Sequence, residues 1–184
     1  MMNRVYLLLG SNMGNREQVL SDAVELLIEE LMPDYLEVED LAEAVNTSSV
    51  VETEPWGFES NDKFLNQAFM CLTDKSAEEV LEVCLGIEKQ LGRERNCSQT
   101  DEKGERVYSS RIIDIDILLF DQGSGDGKFM PQIVAQENLQ IPHPRMHQRL
   151  FAVEPLAEIA KDYVVPGIGK TVGALKKELK KKKI

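Results

Sequence analysis

The segment Arg111-Ile112-Ile113-Asp114-Ile115-Asp116-Ile117-Leu118-Leu119 constrains this chain more than any other part of it. A strand's period of two puts Ile113, Ile115 and Ile117 on one face and Asp114 with Asp116 on the other, their Cβ atoms about 6–7 Å apart. Aspartate is depleted in strands, and two side by side repel unless a cation lies between them. Hard oxygen ligands with room for water and phosphate oxygens suit Mg²⁺ better than zinc. The same spacing also fits a solvated strand face, although Lys, Thr or Glu would be the commoner choices there.

The remaining pattern mixes strands and helices. Residues 4–9 predict a strand, and the turn formers Gly10 to Asn15 lead into a helix capped by Asn15, with Val19, Leu20, Ala23, Val24, Leu27 and Leu31 at helical spacing up to Pro33. Residues 45–52 and 65–73 predict two strands separated by Pro55-Trp56-Gly57. Ser76 with Glu79 forms a capping box for a second amphipathic helix that ends at Gly92. Residues 93–110 are polar throughout, and a stretch of that length inside a compact domain predicts a mobile lid that closes over ligand. Ile112 to Phe120 forms the next strand, followed by a Gly-rich turn at 123–127, an apolar segment at 129–135 and a helix starting near Pro144 or Arg145.

With 184 residues and 42% hydrophobic side chains, the chain can bury a core as one domain over 1–184. The net charge of −11 is unevenly spread. Residues 161–184 carry eight lysines against Asp162 and Glu178, so the rest of the chain holds 13 basic and 30 acidic side chains, a charge of −17. Such a body repels nucleic-acid backbones unless its cations are gathered locally, and nine of those 13 lie between Lys89 and Arg149. A focused site for a small polyanion follows better than a nucleic-acid surface. The Lys-rich stretch at 176–184 is expected to be a solvated helix end and tail. Cys71, Cys84 and Cys97 show neither CxxC spacing nor an even count, so free thiols are expected. No apolar run approaches a membrane span or a signal-peptide core, which makes the expected location cytoplasmic.

Other polar residues add to the site. His143 and Arg149 suit contact with phosphate, although solvation of a helix start is the commoner use of such residues; with only two histidines in the chain, a zinc site is not expected. Gly10-Ser11-Asn12-Met13-Gly14-Asn15 opens a helix but lacks both the Walker A ending and GxGxxG spacing. Trp56, Phe64 and Phe151 suit either a core or a ligand platform. Asn66 stands in an otherwise apolar strand, where a buried amide needs partners for its oxygen and its NH₂ group.

These motifs occur in one order: Gly10-Ser11-Asn12 with Gly14-Asn15-Arg16, Thr53-Glu54-Pro55-Trp56-Gly57, Phe64-Leu65-Asn66, Glu88 with Gly92-Arg93, Arg111 to Asp116, and Pro142-His143-Pro144-Arg145-Met146 through Arg149 and Phe151. Over about residues 4–160 the chain resembles the 6-hydroxymethyl-7,8-dihydropterin pyrophosphokinase family of folate biosynthesis. The resemblance implies an α+β fold, an antiparallel sheet with helices on both faces in a ferredoxin-like-related α/β/α sandwich. It implies a transferase that moves diphosphate from ATP to the pterin hydroxymethyl group and releases AMP. Asp114 and Asp116 would hold two Mg²⁺ ions at the ATP phosphates, and Arg93 and Arg111 would stabilise charge on the transferring group. Glu88, Tyr108, Arg111, His143 and Arg149 would serve the nucleotide. Thr53, Glu54, Trp56, Phe64, Asn66 and Phe151 would hold the pterin, the two phenylalanines sandwiching its ring.

Two departures accompany the resemblance. Tyr108-Ser109-Ser110 stands where many relatives carry Trp-Gly-Pro, and Glu137-Asn138-Leu139-Gln140 lacks a basic residue found in some of them. A monomer binding only small molecules is expected, with no fused aldolase or pteroate synthase. A different Mg²⁺-dependent phosphotransferase would share the aspartates and arginines without needing Phe64, Asn66 and Phe151, and an idle binding module would need neither set.

Overall fold

The structure, a computed structural model, describes residues 2–34, 41–54, 63–92 and 112–182. The predicted lid at 93–110 and the Pro55-Trp56-Gly57 turn lie outside the described residues, as do Arg93, Cys97, Tyr108 and Arg111.

An antiparallel sheet organises the chain. Its strands run in the order β2 (Val45–Thr47), β4 (Phe64–Thr73), β1 (Asn3–Ser11), β5 (Asp114–Gly123) and β6 (Phe129–Pro131), with β3 (Val51–Thr53) also paired to β4. β1 is central, so both of its faces are buried: Val5, Leu7 and Leu9 point to one side and Tyr6 and Leu8 to the other.

The first face packs against α1 (Arg16–Leu31) and α3 (Ala77–Gln90). Asn15 caps α1 by accepting the Gln18 N–H, and Leu20, Ala23, Leu27 and Leu31 form its buried stripe. Both hydrogen bonds of the Ser76–Glu79 capping box are made at the start of α3. Gly92, at φ +92°, ends the helix in the left-handed region open to glycine. The second face packs against α4 (Leu150–Ile159) and α5 (Val172–Lys182). α5 runs to Lys182, buries Leu175, and pairs Lys176 and Lys180 with Glu154 of α4, so most of the expected Lys-rich tail is helix.

Three expectations need correction. The strand predicted at 45–52 is two strands, because the ladder breaks over Ser48 to Val50, although the Ser48 N–H still donates to Ala68 O and Ser48 Oγ accepts the Ala68 N–H. A four-residue helix, α2 (Leu41–Ala44), precedes them. The apolar segment 129–135 splits between β6 and β7 (Val134–Ala135), which pairs with β8 (Gln140–Ile141) in a separate two-stranded sheet. The helix expected from Pro144 or Arg145 begins only at Leu150, after a 3₁₀ turn at Met146–Gln148. Two hydrogen bonds hold the helix back: the His143 N–H donates to Leu118 O, keeping this segment along β5, and the Arg145 N–H donates to His143 Nδ1.

Cys71 and Cys84 are free and buried, as expected. Burial pushes the Cys71 thiol up to about 12 and raises Cys84 further, so neither is a reactive thiolate at neutral pH. No described helix is long and apolar enough to cross a membrane.

Candidate active site

Strand register builds the site at one end of the sheet, on the face that carries α4. Gly10 of β1 lies opposite Asn66 of β4 on one side and Asp114 of β5 on the other. Directly opposed residues share a face, so Asn66 and Asp114 flank Gly10 at two strand spacings, roughly 10 Å apart. Asp116 sits in the next row on this face, opposite Leu8. The predicted alternation holds, with Ile113, Ile115 and Ile117 buried and the two aspartates half-buried.

Gly10 matters because it has no side chain. A Cβ there would stand 3.3 Å from Asn66 Oδ1 and 3.9 Å from Phe64 Cδ1. The space above Gly10 is therefore occupied by the amide and the ring. Asn66 is 3% exposed, and its Nδ2 donates to Thr53 Oγ1 at 2.8 Å. Thr53 opposes Phe64 on the adjoining β3, so Thr53, Phe64 and Asn66 form one group. Glu54 does not join it: its exposed carboxylate pairs with Lys63 at 3.1 Å.

The cationic side comes from the chain before α4. Arg149 is buried, and its guanidinium carbon lies 5.6 Å from the centroid of the Phe151 ring on the first turn of the helix. Phe151 also packs, half-buried, against the second core. Burial first, then the charges of Arg149 and Arg145, lower the His143 imidazole to about 4, with Asp114 opposing them. These four groups thus form one electrostatic cluster. Because His143 Nδ1 accepts a backbone N–H, the neutral ring carries its proton on Nε2 and offers a donor, not a cation.

Glu88 sits on the core side of the sheet, behind the strand that carries the two aspartates. It is 1% exposed on the buried stripe of α3, and its Oε1 accepts the Ile115 N–H at 2.8 Å. In this conformation it holds a strand, and a carboxylate four residues after Cys84 on an apolar stripe was the sequence signal for that.

Among the described residues, no group of three or more His, Cys, Asp or Glu side chains could hold a metal. A pair of half-buried carboxylates fits Mg²⁺, which commonly takes one or two carboxylates and completes its shell with water and substrate phosphates. The arrangement therefore offers a polyanion site beside a small apolar platform with a buried amide.

Comparison with known proteins bears on the same stretch of chain. The model of the family described as 7,8-dihydro-6-hydroxymethylpterin-pyrophosphokinase (HPPK) matches residues 6–161. The chain belongs to the HPPK family. It is 37% identical over 166 residues to the 2-amino-4-hydroxy-6-hydroxymethyldihydropteridine pyrophosphokinase of Methylorubrum extorquens, covering 90% of this chain and 88% of that protein. The protein of that name from Bacillus subtilis is 37% identical over 161 residues, covering 88% and 80%. The fold resembles a crystal structure of an HPPK-DHPS in complex with substrates, at TM-score 0.63 and 15% identity, covering 97% of this chain and 43% of that one. A Plasmodium falciparum HPPK-DHPS with SDX-DHP gives TM-score 0.62 at 17% identity, covering 97% and 44%. The chain thus spans less than half the length of these two structures, while matching most of the HPPK relatives from the two bacteria.

Proposed function

We propose that this HPPK family member transfers diphosphate from ATP to the hydroxymethyl group of 6-hydroxymethyl-7,8-dihydropterin in folate biosynthesis. The hydroxyl oxygen bonds to the β-phosphorus, the bond from that phosphorus to the α,β-bridging oxygen breaks, AMP leaves with the electron pair, and the hydroxyl proton is released. The observation that carries this reading is the single row Asn66–Gly10–Asp114, which sets a buried amide for a heterocycle edge beside a carboxylate pair for a metal–polyphosphate. Phosphoryl-type transfer depends on positioning and charge stabilisation more than on a protein nucleophile, and the site offers no dedicated nucleophile at this row.

Asn66 and Thr53 read the pterin edge, while Phe64 and Phe151 cover its faces. Arg149 and the Nε2–H of His143 hold phosphate oxygens, and Asp114 with Asp116 would hold Mg²⁺. When bound there, Mg²⁺ would neutralise charge on the phosphates and act as a Lewis acid toward them. Arg93 and Arg111 add positive charge at the transferring group in this reading, and Tyr108 serves the nucleotide. We further infer an α/β/α sandwich related to ferredoxin-like folds, acting as a single-domain cytoplasmic monomer; helices packed on both sheet faces support the first point.

The test is AMP formation from ATP as a function of added hydroxymethyl-dihydropterin. Release that requires the pterin, with pterin diphosphate as co-product, is expected. AMP release independent of pterin would point to another phosphotransferase, and no release in a folded, Mg²⁺-supplied protein would point to a binding module.

A further inference from the structure

β5 has an open edge where it matters most. β1 covers one side of it, but on the other side β6 pairs only with Asp121 to Gly123. Among the described residues, no strand pairs with the outer edge of β5 over Asp114 to Ile117. The N–H of Ile115, the residue between the two aspartates, turns away from β1 and donates to Glu88 Oε1 at 2.8 Å. Glu88 stands at 1% exposure among Val80, Cys84 and Ile87 on the core face of α3. An apolar side chain would complete that stripe without the penalty of burying a carboxylate. Cys84, one turn earlier on α3, feels the charges of both Glu88 and Asp116, so both carboxylates lie within electrostatic reach of the same point on α3.

We propose that Glu88 is a positioning residue for the Asp114–Asp116 pair: its carboxylate replaces the missing neighbour strand at Ile115 and fixes the directions in which the flanking aspartates project. A hydrogen bond on the outer edge, opposite the pairing with β1, opposes twisting of this stretch about its axis, a motion that would swing both aspartates together. The inference rests on the reading that this pair holds a divalent cation with the nucleotide.

Glu88→Gln and Glu88→Asp separate geometry from charge. Glutamine keeps an oxygen at the same reach without the charge, whereas aspartate keeps the charge and falls one methylene short of the Ile115 N–H. Mn²⁺ binding is titrated by electron paramagnetic resonance with α,β-methylene ATP, which cannot release AMP. Amide exchange at Ile115 is followed by NMR without metal. E88Q is expected to bind Mn²⁺ within a few-fold of the parent and to protect the Ile115 amide. E88D should bind about tenfold more weakly, the lower end of losses seen when a partner of a metal ligand is removed, and should exchange that amide faster. Both variants should keep the parent's affinity for pterin. The reverse order, E88D intact and E88Q impaired, would show that charge alone matters and overturn the proposal, as would parent-like behaviour in both. If the parent protein itself shows no nucleotide-dependent Mn²⁺ binding, the metal reading of the aspartates is what fails; the exchange measurement still decides whether Glu88 holds Ile115.

Discussion

Replacing Gly10 by alanine should damage recognition of the pterin while leaving the fold intact. The new Cβ would stand 3.3 Å from Asn66 Oδ1, so the amide must give by a few tenths of an ångström, whereas the 3.9 Å approach to Phe64 is ordinary contact and the ring can stay. Asn66 is tied to Thr53 Oγ1 at 2.8 Å, and any shift away from Gly10 moves that bond and the amide's aim together. Weakening one hydrogen bond to a ligand costs about 0.5–1.5 kcal/mol, or up to roughly tenfold in affinity. Stability changes little, because Gly→Ala at a φ that alanine accepts gains about 0.4–1 kcal/mol from the unfolded chain and offsets the local crowding. Gly10 does not have a positive φ. The assay is calorimetric titration of pterin and, separately, of a nucleotide analogue, with a melting curve as control. The expected result is pterin affinity lower by about tenfold, nucleotide affinity unchanged and a melting temperature within a few degrees of the parent. Unchanged pterin affinity would refute the argument that the amide above Gly10 reads the ligand. An equal loss for both ligands together with a lower melting temperature would make Gly10 a packing residue only.

Asp114→Asn or Asp116→Asn should lower turnover by orders of magnitude in a protein whose circular dichroism and melting curve are unchanged; near-parental turnover in either variant would exclude a shared metal role. Phe151→Ala should cost pterin binding roughly 1–3 kcal/mol and nucleotide binding less, since the ring also lies 5.6 Å from the Arg149 guanidinium; equal losses in calorimetry would mark it as core alone. His143 gives a pH signature: the folded ring titrates near 4 because burial and the neighbouring arginines disfavour its cation, whereas an unfolded ring titrates near 6.5. Its contribution is complete above 6.5 and is lost as pH falls toward 4, by up to about 3 kcal/mol relative to His143→Gln. Urea unfolding of both proteins at pH 7.5 and 4.5 measures it, and parallel pH dependences would refute the assignment.

Local signals carried the fold wherever the determining contacts are local. The alternation from Ile113 to Ile117, the capping box at Ser76 and the cap at Asn15 each place their partners within a few residues, and all three are seen in the structure. The breaks depend on distant atoms. Ser49 donates its N–H and hydroxyl to Glu158 of α4, 109 residues away, which lets the chain leave β4 between β2 and β3 where the sequence reads as continuous strand. The start of α4 is delayed because Leu118 O captures the His143 N–H. Asp121, fully buried at the other end of the sheet, accepts from Arg4 Nε at 2.9 Å, Arg4 Nη2 at 2.7 Å and the Tyr163 hydroxyl. Nothing in the local pattern marks that aspartate as different from Asp114 or Asp116.

The candidate site was legible as a set of residue types but not as an arrangement, because burial sorts the polar residues and burial is a property of the assembled sheet. Glu88, Ser48 and Asp121 are buried, and the first two accept backbone N–H groups that the sheet leaves without a strand partner. Asp114, Asp116 and His143 stay half-buried at the rim. The motif order joined Glu88 to the second set, since it stands five residues before Arg93. The helix stripe assigns it to the first. The same distinction separates Gly10 from a phosphate loop. Its neighbours Asn66 and Asp114 are 56 and 104 positions distant in sequence, and only antiparallel register brings them to either side of it. A one-residue slip of β1 against β4 would put Leu9 or Ser11 opposite Asn66, and its side chain would take the space that Gly10 leaves for the amide. The apolar residues Val5, Leu7 and Leu9 forbid that slip, since it would expose them to the face that carries α4. The core on the α1 and α3 side therefore fixes the geometry of a site on the opposite face.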